Sequence, residues 1–379
     1  MKLTFATTFD AQNIDNWSGT PFYMSNGLTQ AQIELELIGG LKRHLPIYFK
    51  LIQFLKKLVQ QRESPRFNII AAKYYSSQVE KLIRESNSQA IIAPQVNPIA
   101  YLDCQIPLVL WTDALYASLL GFYPDFIHHS AHSILQGNQI TQACLSRCKL
   151  AIFSSHWAAR TAIEIYGAHK DKVKVVPFGA NIQSEHTLAD IQHIVKNRSK
   201  KIIKLLFIGK HWQRKGGDIV FDVAKKLKAL GTDIELNFVG SYPPKNIAIP
   251  AFVKCHGFIS KRTPEGIEKI SQLLCESHFL FVPSRAEAYG IVFCEANAFG
   301  LPCLSSHVGG IPTIIKDNIN GMTFPLDTKI DIYCEYILDL MKNQARYEEL
   351  SLSAFNEYKT RLNWAVAVKQ VKSLILATL

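Results

Sequence analysis

The sequence contains no Cys-x-x-Cys pair, no Asp-x-Asp, no low-complexity tract and no uncharged apolar run of roughly the eighteen residues a membrane span needs. Each absence removes a class of function. Without a long apolar run no transmembrane helix is expected, and the short apolar stretch in Met1–Asp10 reads as a buried first strand rather than a secretory signal, so a cytoplasmic location is expected. The eight cysteines, at 104, 144, 148, 255, 275, 294, 303 and 334, are scattered in a chain too large to need disulfide staples and read as reduced core thiols. Cys144 and Cys148 share a helix face near His128, His129 and His132, but ordinary packing accounts for them and no metal site is expected. Lack of Asp-x-Asp removes the usual carboxylate pair that holds a divalent ion on a nucleotide diphosphate. Gly-x-Gly-x-x-Gly and Gly-x(4)-Gly-Lys-[Ser/Thr] are also missing, which argues against a nicotinamide dehydrogenase and a P-loop ATPase.

What is present is a 379-residue chain, 48% hydrophobic and 19% charged, the composition of a packed protein long enough for two domains of comparable size and a cleft. Net charge is +11. Over half of the excess sits in residues 41–66, where Lys42, Arg43, Lys50, Lys56, Lys57, Arg62 and Arg66 face only Glu63, a local +6. Begun at Pro46, this segment makes an amphipathic helix with Ile47, Leu51, Phe54, Leu55 and Leu58 on one side and Lys50, Gln53, Lys57 and Gln61 on the other. One expectation is peripheral contact with an anionic membrane, aided by Tyr48, Phe49 and Phe54; the plainer one is a helix that covers its own sheet with a solvated basic edge. Nucleic-acid binding has charge alone in its favour, without a stacking sheet or a reading helix, and is not expected.

Apolar runs Leu3–Phe9, Ile33–Ile38, Ala90–Ala93, Pro107–Trp111 and Leu150–Ser154 alternate with helical patterns, and Lys204–Ile208, Glu235–Val239 and Phe279–Val282 repeat the alternation in the second half. This predicts an α/β protein of two doubly wound parallel-sheet domains, whose ligands sit at the carboxyl ends of strands where the strand order reverses. Residues 183–201 are polar and lack β periodicity, which places a linker there and the boundaries at 1–184 and 185–360. The last segment, 361–379, has helical spacing at Trp364, Val368, Val371 and Ile375 and is expected to pack back toward the N-terminal domain.

The chemistry concentrates in three strand-to-turn transitions of the second half. After Phe279–Val282 comes the polar turn Pro283–Gly290 and then a helix carrying Glu295; Gly290 permits close backbone approach, and helix amides can hold an anion. Glu287 and Glu295 can each accept hydrogen bonds from vicinal sugar hydroxyls; the plain alternative is a helix start with one structural acid. Upstream, Lys204–Ile208 ends in Gly209-Lys210-His211-Trp212-Gln213-Arg214-Lys215-Gly216-Gly217, a basic turn suited to a departing pyrophosphate or merely solvated. Downstream, Leu301–Leu304 leads into Gly309-Gly310-Ile311-Pro312.

From about Lys204 to Phe324 these motifs resemble the donor domain of glycosyltransferase family 4. The resemblance implies a GT-B fold of two Rossmann-like domains facing a cleft, and a retaining hexosyltransferase using a nucleoside-diphosphate sugar, UDP- or GDP-linked rather than ADP-linked. It implies no cofactor and no required metal, with front-side attack in which the departing phosphate oxygen helps deprotonate the acceptor. Glu287 then meets donor-sugar hydroxyls and Glu295 the ribose; Gly290, Ile291 and Val292 line the donor with amides, beside Gly309. Lys210 and Lys215 fall on the family's two diphosphate ligands, Lys210 standing where Arg is common, so that a point charge replaces a bidentate fork. The base maps to main chain in His256-Gly257-Phe258-Ile259. The family's Gly-Gly-Ile-Pro-Glu ends here in Thr313, to which no role is assigned.

In the first half the usual Gly-Gly loop is replaced by Trp17-Ser18-Gly19-Thr20-Pro21, leaving Gly19 as the phosphate candidate, and the family's cleft histidine is replaced at its strand end by Asp113. Asp113 can hold a donor hydroxyl or the acceptor, or can cap the helix from Ala114. Catalytic candidates are thus Glu287, Asp113 and Lys215, and the acceptor, whether glycan, lipid or small molecule, is not specified. A non-catalytic nucleotide-sugar binder on the same fold is the alternative, because the altered Trp17–Pro21 loop and the missing histidine could disable chemistry.

Overall fold

The computed structural model describes all residues, Met1–Leu379, and the chain divides into two compact units: Met1–Pro177 with Trp364–Leu379, and Phe178–Asn363. In the first, β1 (Lys2–Ala6), β2 (Glu34–Ile38), β3 (Ala90–Ala93), β4 (Leu108–Thr112), β5 (Leu150–Phe153) and β6 (Val173–Val175) form one sheet in the order β2-β1-β3-β4-β5-β6. Every pairing is parallel, from Lys2 opposite Glu34 to Phe153 opposite Val175. The continuous apolar runs of β3, β4 and β5 are buried throughout, as strands covered on both faces must be, whereas edge strand β2 carries its glutamates half in solvent. The order reverses between β1 and β3, so the loops after those strands diverge at their carboxyl ends.

Helix Thr20–Gln30 begins with Pro21 in its first turn and packs on the C-terminal helix Trp364–Leu376. That contact depends on Gly27, since a Cβ there would lie 3.1 Å from Val368 Cγ2. Trp364, Val368, Val371 and Ile375 are all buried, and Trp111 meets Trp364 edge-on with ring centroids 5.8 Å apart.

The second unit holds β7 (Ile203–Ile208), β8 (Ile234–Val239), β9 (Val253–Cys255), β10 (Phe279–Val282), β11 (Cys303–Ser306) and β12 (Gly321–Phe324), again all parallel, in the order β12-β11-β10-β7-β8-β9. Its reversal falls between β7 and β10. The loops that leave those two strands therefore emerge side by side at one sheet edge.

Two sequence expectations need correction. The boundary lies between Pro177 and Phe178 rather than near 184, because Phe178 and the residues after it are built into the second unit. Tyr289 Oη donates to the Phe178 carbonyl at 2.8 Å, the Phe178 and Tyr289 rings sit 5.2 Å apart, and Ala180 N donates to Leu362 O at 3.0 Å. Nor are residues 183–201 a linker: Thr187 and Asp190 form a capping box for helix Leu188–Asn197, which buries Ile191 and Val195 one turn apart. Arg198 then locks the helix end, its guanidinium donating to the carbonyls of Cys275, Phe299 and Gly300 and to Tyr347 Oη. The run reads as polar because one apolar stripe of two residues is all that this outer helix presents to the core.

Eight cysteines are unpaired, and no group of three or more His, Cys, Asp or Glu converges as a metal cage would. Cys144 and Cys148 lie 3.8 Å apart at their sulfurs, while His129 bonds Tyr116 Oη and His132 bonds Gln136. No helix is long and apolar enough to cross a membrane.

Candidate functional site

At the carboxyl end of β7 the chain passes through Gly209, whose N donates to Val239 O at 2.9 Å, into the short helix Trp212–Lys215 and then Gly216. Gly216 has φ +75°, and a Cβ there would stand 2.2 Å from the Pro283 carbonyl oxygen. Only glycine allows the loops after β7 and β10 to touch in this way. They are then stitched together: Arg285 N donates to Arg214 O at 2.7 Å, and the Arg285 fork holds both Asp218 oxygens at 2.8 and 2.7 Å. Partial burial raises the Asp218 carboxyl, but the Arg285 hydrogen bonds outweigh it and hold the group below its ordinary value.

This stitching aims three charged side chains at one point. Lys215 Nζ donates to Glu287 Oε2, and Arg214 Nη1 stands 3.6 Å from the same oxygen while donating to Ala286 O at 2.8 Å. All three side chains are largely buried. A third loop joins them through Gly310 N, which donates to Glu287 O at 3.1 Å just after Gly309 at φ +54°. Within this trio two cations face one carboxylate, in a place where water screens charge little. That surplus is the electrostatic requirement of an anion site.

Gly290, at φ +97°, starts helix Ile291–Asn297, and a Cβ on it would meet the Phe293 ring at 2.7 Å and Glu287 Cγ at 3.3 Å. Val292 is buried and Ile291 half-buried behind that turn. Glu295, one turn on, is buried against Lys261, whose Nζ donates to Glu295 Oε1 and lies 3.4 Å from Asn181 O. Burial pushes the Glu295 carboxyl above its usual range, with Lys261 drawing it partly back.

The base-side candidates form a separate group. Gly257, at φ +66°, accepts from Gly240 N at 2.7 Å, and a Cβ there would lie 2.7 Å from Tyr242 Oη. Next to it Phe258 is 64% exposed, Ile259 half-buried, and Lys210 Nζ rests 4.6 Å from the Phe258 ring centroid. Lys215, Glu287, Gly290 and Gly309 are thus brought together, whereas Lys210 turns to Phe258 and Glu295 to Lys261.

Gly19 and Asp113 lie in the first unit. Gly19, at φ +84°, precedes helix Thr20–Gln30 and follows Trp17 and Ser18, which are also left-handed at φ 48° and 56°. Two consecutive non-glycine residues in that region store about 1–2 kcal/mol each. Asp113 follows β4 but is not a helix cap: the next helix is Tyr116–Leu119, with Leu115 at its N-cap. Its charge instead acts on Arg66.

Sequence reasoning overlooked Arg214, Lys261 and the Arg285–Asp218 fork. Arg214 and Arg285 were visible as neighbours of Lys215 and Glu287, but nothing in the spacing marks which cation meets which acid. Lys261 stands two residues past Ile259, in a loop 34 residues from Glu295.

Two doubly wound parallel-sheet units in one chain, one with a charged switch point, define a protein of the GT-B fold class. Sucrose-phosphate synthase from Thermosynechococcus elongatus superposes on it with a TM-score of 0.72 at 14% identity, covering 100% of this chain and 98% of that one. Anabaena HepE, in complex with UDP and glucose, gives 0.62 at 16% identity over 100% and 99% of the two chains. Residues 189–357 match the family model Glycosyl transferases group 1. Among curated relatives, the D-inositol 3-phosphate glycosyltransferase of Nocardia farcinica is 27% identical over 184 residues, 43% of this chain and 39% of that protein. An uncharacterized glycosyltransferase of Methanocaldococcus jannaschii is 28% identical over 177 residues, 45% and 46% of the two. The chain spans less than half the length of these relatives.

Proposed function

We propose that the second unit binds a nucleoside-diphosphate sugar, UDP- or GDP-linked, and that the chain transfers its hexose with retention to an acceptor that is a glycan, a lipid or a small molecule. One observation carries this reading: Lys215, Arg214 and Glu287 converge from two loops at the switch point of a parallel sheet, with more positive than negative charge. A diphosphate needs that surplus, and a sugar beyond it needs an acid to accept its hydroxyls. HepE, whose structure holds UDP and glucose, supports the donor class by likeness of fold.

In this reading Lys215 and Arg214 take the diphosphate and stabilise it as it leaves, with Lys210 released from Phe258 to add a second point charge. Freed in part from Lys215, Glu287 accepts from the sugar. Glu295 accepts from the ribose, and the main chain of Gly257, Phe258 and Ile259 holds the base, with Gly290, Ile291, Val292 and Gly309 lining the donor. Gly19 and Asp113 are proposed to contact phosphate and a donor or acceptor hydroxyl respectively. No Asp-x-Asp is available to hold a divalent ion, so leaving-group charge falls to the cations. The departing phosphate oxygen takes the acceptor proton, and the bond to the sugar forms on the face from which the diphosphate departs.

A thermal-shift panel of UDP, GDP, ADP and their sugars tests the donor: a micromolar ligand at hundredfold excess raises stability by about 2.7 kcal/mol. Release of the nucleoside diphosphate from the responding sugar distinguishes a transferase from a binder. Binding without release, even in the presence of varied acceptors, would favour the non-catalytic alternative, and no response from any nucleotide would refute both.

A further inference from the structure

Helix Phe49–Leu58 does not cover its sheet. Of its side chains only Phe49 is buried, and Leu58, nine residues on and so about two and a half turns away, points to the opposite side. Ile47, Tyr48, Leu51, Phe54, Leu55, Leu58 and Val59 are each at least 52% exposed. A contiguous apolar face of this size is not left in water without a use. The segment is nonetheless firmly held: Arg62 N donates to His128 O at 2.8 Å, Ser130 N to Arg62 O at 3.0 Å, and Gln53 Nε2 to Glu63 O at 3.2 Å. At its entry, Gln78 both accepts from Lys42 N and donates to Lys42 O. The body therefore presents the face in a fixed orientation.

We propose that this face docks on an anionic lipid membrane, with the apolar side chains in the acyl boundary and the basic ones among the headgroups. The charge argues for that occupant. Lys50 and Lys57 flank the apolar stripe, long enough to reach headgroups while their stems lie along it, and Lys42, Arg43 and Lys56 stand nearby. Glu63, the segment's one acid, is buried and accepts from Ser130 Oγ, so its carboxylate does not face the surface. A second copy of the chain would set +6 against +6 across a two-fold axis, whereas an anionic bilayer attracts the same charge. Tyr48, apolar with a polar tip, suits the boundary between the two regions.

The test is co-sedimentation of the full chain with phosphatidylcholine vesicles and with vesicles in which part of the lipid is phosphatidylglycerol, at low and high salt. Wild type is expected to partition to the anionic vesicles at least about tenfold more strongly than to neutral ones, and to lose that preference in high salt. Leu51→Ser with Phe54→Ser, and separately Lys50→Glu with Lys57→Glu, are each expected to reduce partition at least about tenfold. All four positions are exposed, so circular dichroism and nucleotide binding should be unchanged. Equal partition to both vesicles, variants that sediment like wild type, or a dimer seen by light scattering that the Leu51/Phe54 variant abolishes would each overturn the proposal. Membrane docking and the sugar-transfer reading are independent, because the second is read by nucleotide binding without vesicles.

Discussion

Each unit is built on its own six-stranded parallel sheet that reverses once, yet the strand ends of the two are equipped in opposite ways. In the second, the reversal between β7 and β10 gathers opposite charges: Lys215 and Arg214 on Glu287, Arg285 on Asp218, and nearby Lys261 on Glu295. In the first, the chain after β1 passes Asp10 and Asp15 and then reaches an uncharged turn, Asn16–Gly19, with Trp17, Ser18 and Gly19 all left-handed, and the loop after β4 offers Asp113. Parallel topology creates a place for a ligand in both; side-chain chemistry decides which ligand. A unit with buried, mutually paired ions is pre-organised for a charged group, because partners already fixed need little reorganisation when an anion arrives. A strained turn without charged side chains suits close approach of a ligand to main chain.

The comparison breaks if charge in the second unit can be removed without consequence. Lys215→Ala is expected to lower turnover of the donor by about 10²–10³, the loss seen when one transition-state donor is removed. Glu287→Ala should cost a similar amount, and the double variant little more, since the two side chains act as one unit. Steady-state kinetics on the three variants checks this, and additive losses would show that the pair is not coupled.

Next in size is a pH effect confined to the second unit. Burial holds the His278 imidazole near a pKa of about 4, against 6.5 in the unfolded chain. Its folded pKa is depressed, so the folded state binds fewer protons between those values and stability falls as pH drops from 6.5 to 4. The loss approaches roughly 3 kcal/mol below both values. Thermal unfolding across that range should show a decline that His278→Gln flattens; parallel curves would remove His278 from the account.

Glu295→Gln is expected to weaken donor binding about tenfold, by loss of charge-assisted hydrogen bonds. Wild-type binding should strengthen as pH rises through the raised Glu295 pKa, and Lys261→Ala should move that transition further upward, because the cation that favours ionisation is gone. Titration calorimetry of both variants over pH checks the direction. The smallest effect expected of the set is at Asp113→Asn: turnover reduced about threefold with donor affinity unchanged, which would mark the first unit as serving the acceptor. Weakened donor binding instead would place Asp113 on the donor.

How far the sequence disclosed this arrangement depended on how local each signal was. Runs such as Ala90–Ala93 and Phe279–Val282 announce fully buried parallel strands, and the Gly290 turn with Glu287 and Glu295 announces the loop proposed above as a donor contact, because both signals occupy a few adjacent residues. Helix Leu188–Asn197 stayed hidden, since Ile191 and Val195 are all it buries. Lys261 stayed hidden because its pairing with Glu295 is made by the fold between distant loops. Helix Phe49–Leu58 was legible as amphipathic, but periodicity reports that an apolar face exists and not whether the body covers it.

The central claim, that the Lys215–Glu287 cluster is a diphosphate site, is tested most directly by titrating wild type and Lys215→Ala with a nucleoside diphosphate and with the matching nucleoside. The expected result is diphosphate binding weakened at least about tenfold by the substitution while the nucleoside is unaffected. Equal diphosphate affinity in the two proteins would contradict it.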